Sequence, residues 1–175
     1  MILHVANPIY DSVFKYIMSD ERISKTILSA LLKKEVVKVV MRPHEYVNAT
    51  RDTLSMFRID FAATVREKDV ESGEMKDRVI LIELQKTWLD TETLRFRQYL
   101  GAQYSNKINI RDDSPKGFAY PMVAVYLLGH RVGNINEPVV YVNHDVYDYD
   151  GEVIKEGKEE PFVEGLTHNS IIVQI

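Results

Sequence analysis

Apolar and polar residues follow two rhythms along this chain, one close to 3.6 residues and one of two. Near the start the spacing is helical. Val13, Phe14, Ile17 and Met18 fall on one face of a segment from Tyr10 to Met18. Ile23, Ile27, Leu28, Leu31 and Leu32 do the same in a second segment, with Ser19 or Asp20 placed to cap it. The pattern then turns strand-like. Val36 to Val40 and Tyr46-Val47 predict a strand broken around Pro43, which cannot donate to a ladder. Next come two apolar runs, Phe57-Arg58-Ile59-Asp60-Phe61-Ala62-Ala63-Thr64-Val65 and Arg78-Val79-Ile80-Leu81-Ile82-Glu83-Leu84-Gln85-Lys86. Glu71-Ser72-Gly73-Glu74 between them is turn-like, so the pair predicts a β-hairpin.

From about Asp90 to Ile108 the helical rhythm returns, and Leu89, Phe96, Leu100, Tyr104 and Ile108 form its expected buried stripe. Tyr120 to Leu128 reads as a well-buried strand, followed by a turn over Gly129 to Asn134. The remainder alternates short β-like pieces, among them Val139 to Val142 and Ile171 to Ile175, with acidic turns. The order helix, helix, three strands, helix, strand and β-rich tail predicts an α/β fold with a mixed central sheet flanked by helices.

Composition narrows the chemistry. A chain of 175 residues is expected to form one domain with a real core. Without cysteine it has neither disulfides nor thiolate metal sites. His4, His44, His130, His144 and His168 lack the spacing of zinc motifs, so a metal, if used, is expected to be a hard cation on oxygen ligands. The net charge of −4 argues against a strongly basic DNA-coating protein. That charge is uneven. Residues 131–175 hold three basic and nine acidic side chains, a net −6, which leaves +2 on the first 130. The body is expected to tolerate an anionic partner; the tail is not expected to hold one and reads most simply as a solvated acidic face. No apolar run approaches membrane-spanning length and the N-terminus has no signal-peptide pattern, so a cytoplasmic protein without membrane partners is expected.

The candidate chemistry sits in the hairpin. Asp60 and Glu83 each interrupt an apolar strand, and a buried carboxylate needs a hydrogen bond, an ion pair or a metal. Alternation puts Glu83 and Gln85 on one face and Leu84 and Lys86 on the other. Two readings stay open on pattern alone. The carboxylates converge on one cation, or each is held structurally, with Arg58 and Arg78 as nearby candidates. Asp11 and Lys15, four apart on the first helix, read most simply as a solvated pair.

Several segments together resemble a known family. They are Asp11-Ser12-Val13-Phe14-Lys15, Ile59-Asp60-Phe61, Ile82-Glu83-Leu84-Gln85, Arg95 with Tyr99, and Phe162-Val163-Glu164-Gly165-Leu166-Thr167-His168-Asn169-Ser170. With the order of elements, they resemble the PD-(D/E)XK nuclease superfamily, in its recombination-promoting nuclease and transposase branch. The resemblance implies a restriction-endonuclease-like core over residues 1–130, with residues 131–175 an acidic β-rich extension packed on it. Family members commonly run longer, so a truncated or short form is expected. The implied activity is Mg²⁺-dependent DNA cleavage, with Mn²⁺ as an alternative. Asp60, Glu83 and the Leu84 carbonyl are the implied metal ligands, Asp11 is a further candidate, and Gln85 orients water. Lys15, Arg95, Arg97, Tyr99 and Lys107 are the implied nucleic-acid contacts, and a homodimer is a candidate assembly. Two departures stand out. Ile59 precedes Asp60 where the superfamily has proline, and Gln85 replaces its usual lysine, giving a dipole in place of a charge. Lys86 takes over only if the strand ends or bulges there. The competing reading is a nuclease fold without chemistry that serves binding or assembly.

Overall fold

The computed structural model describes residues 10–42, 56–69, 72–88, 93–111, 114, 117–154 and 160–175. Two helices open the described chain, α1 (Asp11–Ser19) and α2 (Glu21–Leu32). Asp20 caps α2, its carboxylate accepting from the backbone N–H of Arg22 at 2.9 Å and of Ile23 at 3.4 Å. The helix stops at Lys33, whose φ of 54° is left-handed. Strand β1 (Glu35–Arg42) follows at once. Pro43, Tyr46 and Val47, expected to continue it, lie outside the described residues.

The predicted hairpin is present and longer than its apolar runs. Strands β2 (Met56–Lys68) and β3 (Met75–Thr87) pair antiparallel over their whole length. Their turn is built by Asp69, whose carboxylate accepts from the Ser72 N–H at 2.7 Å, and by Gly73, whose φ of 70° suits a residue without Cβ. Helix α3 (Thr93–Ser105) and a single 3₁₀ turn (Lys107–Asn109) lead to β4 (Met122–Leu128). The tail supplies β5 (Val139–Val142), a short helix α4 (Pro161–Leu166) and β6 (His168–Gln174).

The fold is α/β. Six strands form one mixed sheet in the order β1-β2-β3-β4-β6-β5, with β3, β4 and β6 parallel and the other pairs antiparallel. Strand β6 lies inside the sheet, so residues of the tail complete the core. The two sheet faces differ. One carries Phe61, Ala63, Ile82, Leu84, Val125 and Ile171, which pack with Met18 and Leu28 of the first two helices into the main core. The other carries Leu81, Met122 and Ala124, which pack with Leu100 of α3. No helix among the described residues is long and apolar enough to cross a membrane.

The helix stripe expected over α3 is only half realised. Leu89 lies outside the described residues; Leu100 is buried, but Tyr104 is 44% and Ile108 64% exposed. Asn106 starts the 3₁₀ turn by accepting from the Ile108 N–H, which ends the 3.6-residue rhythm before Ile108. Gln103 takes the buried place instead.

Candidate functional site

Asp60 of β2 and Glu83 of β3 are direct partners in the hairpin register. Opposed residues of an antiparallel pair project to the same face, so both carboxylates lie under α3. Gln85, two residues along β3, shares that face. All three are buried, Asp60 at 8% exposure, Glu83 at 1% and Gln85 at 0%. The register passes through this region without a bulge, pairing Phe57 with Lys86. Lys86 therefore stays on the opposite face, its ammonium 5.4 Å from the Trp88 ring centroid.

Amides hold the carboxylates. Gln85 Nε2 donates to Glu83 Oε1 at 3.0 Å, and Gln103 Nε2 donates to Asp60 Oδ2. Gln103 is itself gripped by Asn109, whose Nδ2 donates to its Oε1 at 2.9 Å and its backbone carbonyl at 2.8 Å. Arg42 Nη1, beside Asp60 in the β1–β2 register, donates to Asn109 Oδ1. A buried polar chain thus runs from the guanidinium through two amides to the first carboxylate. Gln85 Oε1 is buried and accepts no hydrogen bond among the described residues. A cavity of about 10 Å³ lies here, bordered by Arg42, Asp60, Glu83 and Gln103. That is about the room for one water or one small ion.

Hard donors dominate this site. The two carboxylates and the unpaired Gln85 oxygen offer only oxygen, which suits Mg²⁺ and not a soft metal. Among the described residues no group of three histidine, cysteine or carboxylate side chains is placed to hold a metal. Mg²⁺ commonly uses one or two carboxylates together with water and phosphate, so the donor types suit it, while the cavity has room for the ion or a single water alone.

Tyr126 of β4 neighbours Gln85 in the parallel β3–β4 register. Burial pushes its hydroxyl up to about 12, reinforced by the Glu83 charge, with a hydrogen bond to Ser170 acting the other way. His168, at the start of β6, shares a 2.6 Å hydrogen bond with the Tyr104 hydroxyl and ties α3 to the sheet. Burial lowers its pKa, and His144 lowers it further.

The remaining candidates are scattered. Arg95, Arg97 and Tyr99 lie on α3, with Arg97 exposed and the other two half-buried. Lys107 is exposed in the 3₁₀ turn, two residues from Asn109. Lys15 is exposed on α1, which packs through Met18 on the other sheet face, away from the carboxylates. Asp11 opens that same helix, and its side chain is outside the described ones. Arg78 does not serve the carboxylate pair. It binds Glu67 at 3.4 Å and Glu164 of α4. Arg58 lies across from Gln85 in register, its side chain outside the described ones.

Gln103, Asn109 and Arg42 are absent from the sequence-level site. One signal points to the first: Arg95, Tyr99 and Gln103 recur every four residues on one side of α3. Comparisons with known protein families, with curated proteins and with solved structures returned no match for this chain.

Proposed function

We propose that this chain is a Mg²⁺-dependent DNA endonuclease of the PD-(D/E)XK type, in the recombination-promoting nuclease and transposase branch. The observation that carries the reading is the pairing of Asp60 with Glu83 across the hairpin, on one face and beside Gln85. The order α2, β1, β2, β3, α3, β4 supports it, since it follows the order of elements that the resemblance drew on. Asp60, Glu83 and the Leu84 carbonyl would hold the cation, with Mn²⁺ as a substitute. When bound, the metal supplies a water of lowered pKa and neutralises charge on the phosphate. Gln85 orients that water through its unpaired oxygen, while its amide N–H fixes Glu83. Gln103 positions Asp60. Arg95, Arg97, Tyr99 and Lys107 contact the DNA backbone, which positions the strand without reading its sequence.

The test is calorimetric titration with Mg²⁺ and Mn²⁺, then plasmid nicking, on wild type and Asp60→Ala. Binding and nicking that both vanish in the variant support the reading. A folded wild type that neither binds metal nor nicks DNA overturns it.

A second reading is favoured by a specific observation. Gln103 and Gln85 already hydrogen-bond the two carboxylates, and all of these groups are buried under α3. The same constellation then serves as a polar anchor for α3 in a nuclease fold used for binding or assembly. In that case Asp60→Ala destabilises the protein, and metal has no effect on either form.

A further inference from the structure

A second cavity opens on the same sheet face, beside the N-terminal half of α3. Its volume is about 530 Å³, within the ordinary range of small-molecule sites. Phe96, Tyr126 and Leu128 form its apolar wall, and the two rings pack at 4.8 Å between centroids, tilted by 39°. Around this wall stand Arg97, Arg131 and His130, and no carboxylate lines the cavity among the described residues. In a chain with net charge −4, a cavity lined by two arginines and a histidine and, among the described residues, by no carboxylate is a selective feature. Arg97 and Arg131 are exposed, so their guanidinium groups are accessible to an anion. One Arg131 nitrogen donates to Asn136 at 3.3 Å, which leaves its other donors for a ligand. Both ring nitrogens of His130 are buried without a partner among the described residues. Such unpaired groups are costly, and a turn of the ring toward the cavity it lines would let a ligand edge pair them.

The chemistry that satisfies all three features is a flat, partly apolar ring system joined to an anion. We infer that this cavity binds a nucleotide. The base lies against Phe96, Tyr126 and Leu128, the phosphate meets Arg97 and Arg131, and His130 faces the base edge. Stacking on aromatic side chains tolerates any base, so the site is unselective for sequence. The cavity adjoins the position of Gln85 on this sheet face, because Tyr126 is its β4 neighbour. Resting on the nuclease reading, the nucleotide it holds is the one flanking the phosphate to be cut. Without that reading the occupant is a free nucleotide, which presents the same base and phosphate.

The experiment is calorimetry with dAMP in EDTA on the full chain, as wild type, Asp60→Ala and the double variant Arg97→Ala/Arg131→Ala. Saturable binding to one site is expected for wild type and for Asp60→Ala. At least tenfold weaker binding is expected for the double variant, whose exposed arginines leave circular dichroism and melting temperature unchanged. No binding by wild type at millimolar dAMP, or equal affinity in the double variant, overturns the inference. Plasmid nicking with Mg²⁺ and rising dAMP then separates the sources. Competitive inhibition assigns the cavity to the DNA strand, and nicking indifferent to saturating dAMP assigns it to a free nucleotide. If wild type binds dAMP but never nicks DNA, the nuclease reading fails and the nucleotide cavity stands.

Discussion

Replacing Gln103 by leucine tests the buried polar chain at its most informative link. The two side chains are similar in size, so packing under α3 is largely kept while the amide is lost. Asn109 keeps one acceptor, because its Nδ2 also donates to the backbone carbonyl of residue 103 at 2.8 Å. The main loss is therefore the bond from Gln103 Nε2 to the Asp60 carboxylate. Hydrogen bonds to charged groups contribute about 1.5–3 kcal/mol. For a chain of 175 residues, each kcal/mol moves the melting temperature by about 2–4 °C, so a fall of about 3–12 °C is expected. The assay is thermal and urea unfolding by circular dichroism at neutral pH in EDTA. A loss below about 0.5 kcal/mol, typical of a surface change, refutes the claim that this amide holds a charged carboxylate. A second arm adds saturating Mg²⁺. If Asp60 is a metal ligand, the cation replaces the missing donor, and Mg²⁺ stabilises Gln103→Leu more than it stabilises wild type. Equal shifts in both proteins refute that part of the reasoning.

Other perturbations probe the site and its frame. Gln85→Lys places an ammonium beside Glu83, so on the proposed nuclease reading Mg²⁺-dependent nicking is expected to persist or rise; complete loss in a folded variant counts against a water-orienting role for Gln85. Gly129→Ala would set a Cβ 1.6 Å from Trp88 Cε3, forcing the ring aside. The expected cost is about 1–3 kcal/mol, with red-shifted emission from the only tryptophan, and unchanged stability and emission refute it. For His168, burial first and His144 second lower the folded pKa below 6.5. The unfolded chain then takes up the proton first as pH falls, so stability drops as pH falls through that value. Urea midpoints at neutrality and at about pH 5.5 should differ more for wild type than for His168→Asn, and equal losses refute the assignment.

Local chemistry made much of the fold legible. The hairpin rested on two apolar runs around a turn, and the register that opposes Asp60 to Glu83 follows once those runs pair. Asp20 capped α2 for the reason its sequence position suggests. What stayed hidden depends on distant partners. Helix α4 spans six residues, too few to show a period, and Arg78 anchors it through Glu164 from β3. The place of β6 between β4 and β5 is set by parallel pairing, which no neighbouring residues encode. Gln103 escaped because a polar residue inside a helix reads as solvent-facing. Its burial follows only from the carboxylate that β2 places beneath it.

The polar cluster under α3 is a poor device for stability alone. The same sheet face shows the cheaper solution a few ångströms along, where Leu81, Met122 and Ala124 pack against Leu100. Extending that apolar contact through positions 60, 83, 85 and 103 would bury the same helix without desolvating two carboxylates. Buried charged groups are often no more stabilising than apolar residues of similar volume. The cluster must therefore do something that an apolar patch cannot. A polar anchor that fixes where α3 sits needs its hydrogen bonds complete, yet Gln85 Oε1 has no partner among the described residues. An unfilled acceptor beside Glu83, on the face that carries both carboxylates, suits a cation site better than an anchor. This asymmetry favours the metal reading. It also fixes the decisive contrast: Mg²⁺ should raise the stability of wild type, and a Gln85→Leu variant that loses this response while keeping its fold would show the oxygen to be part of the site.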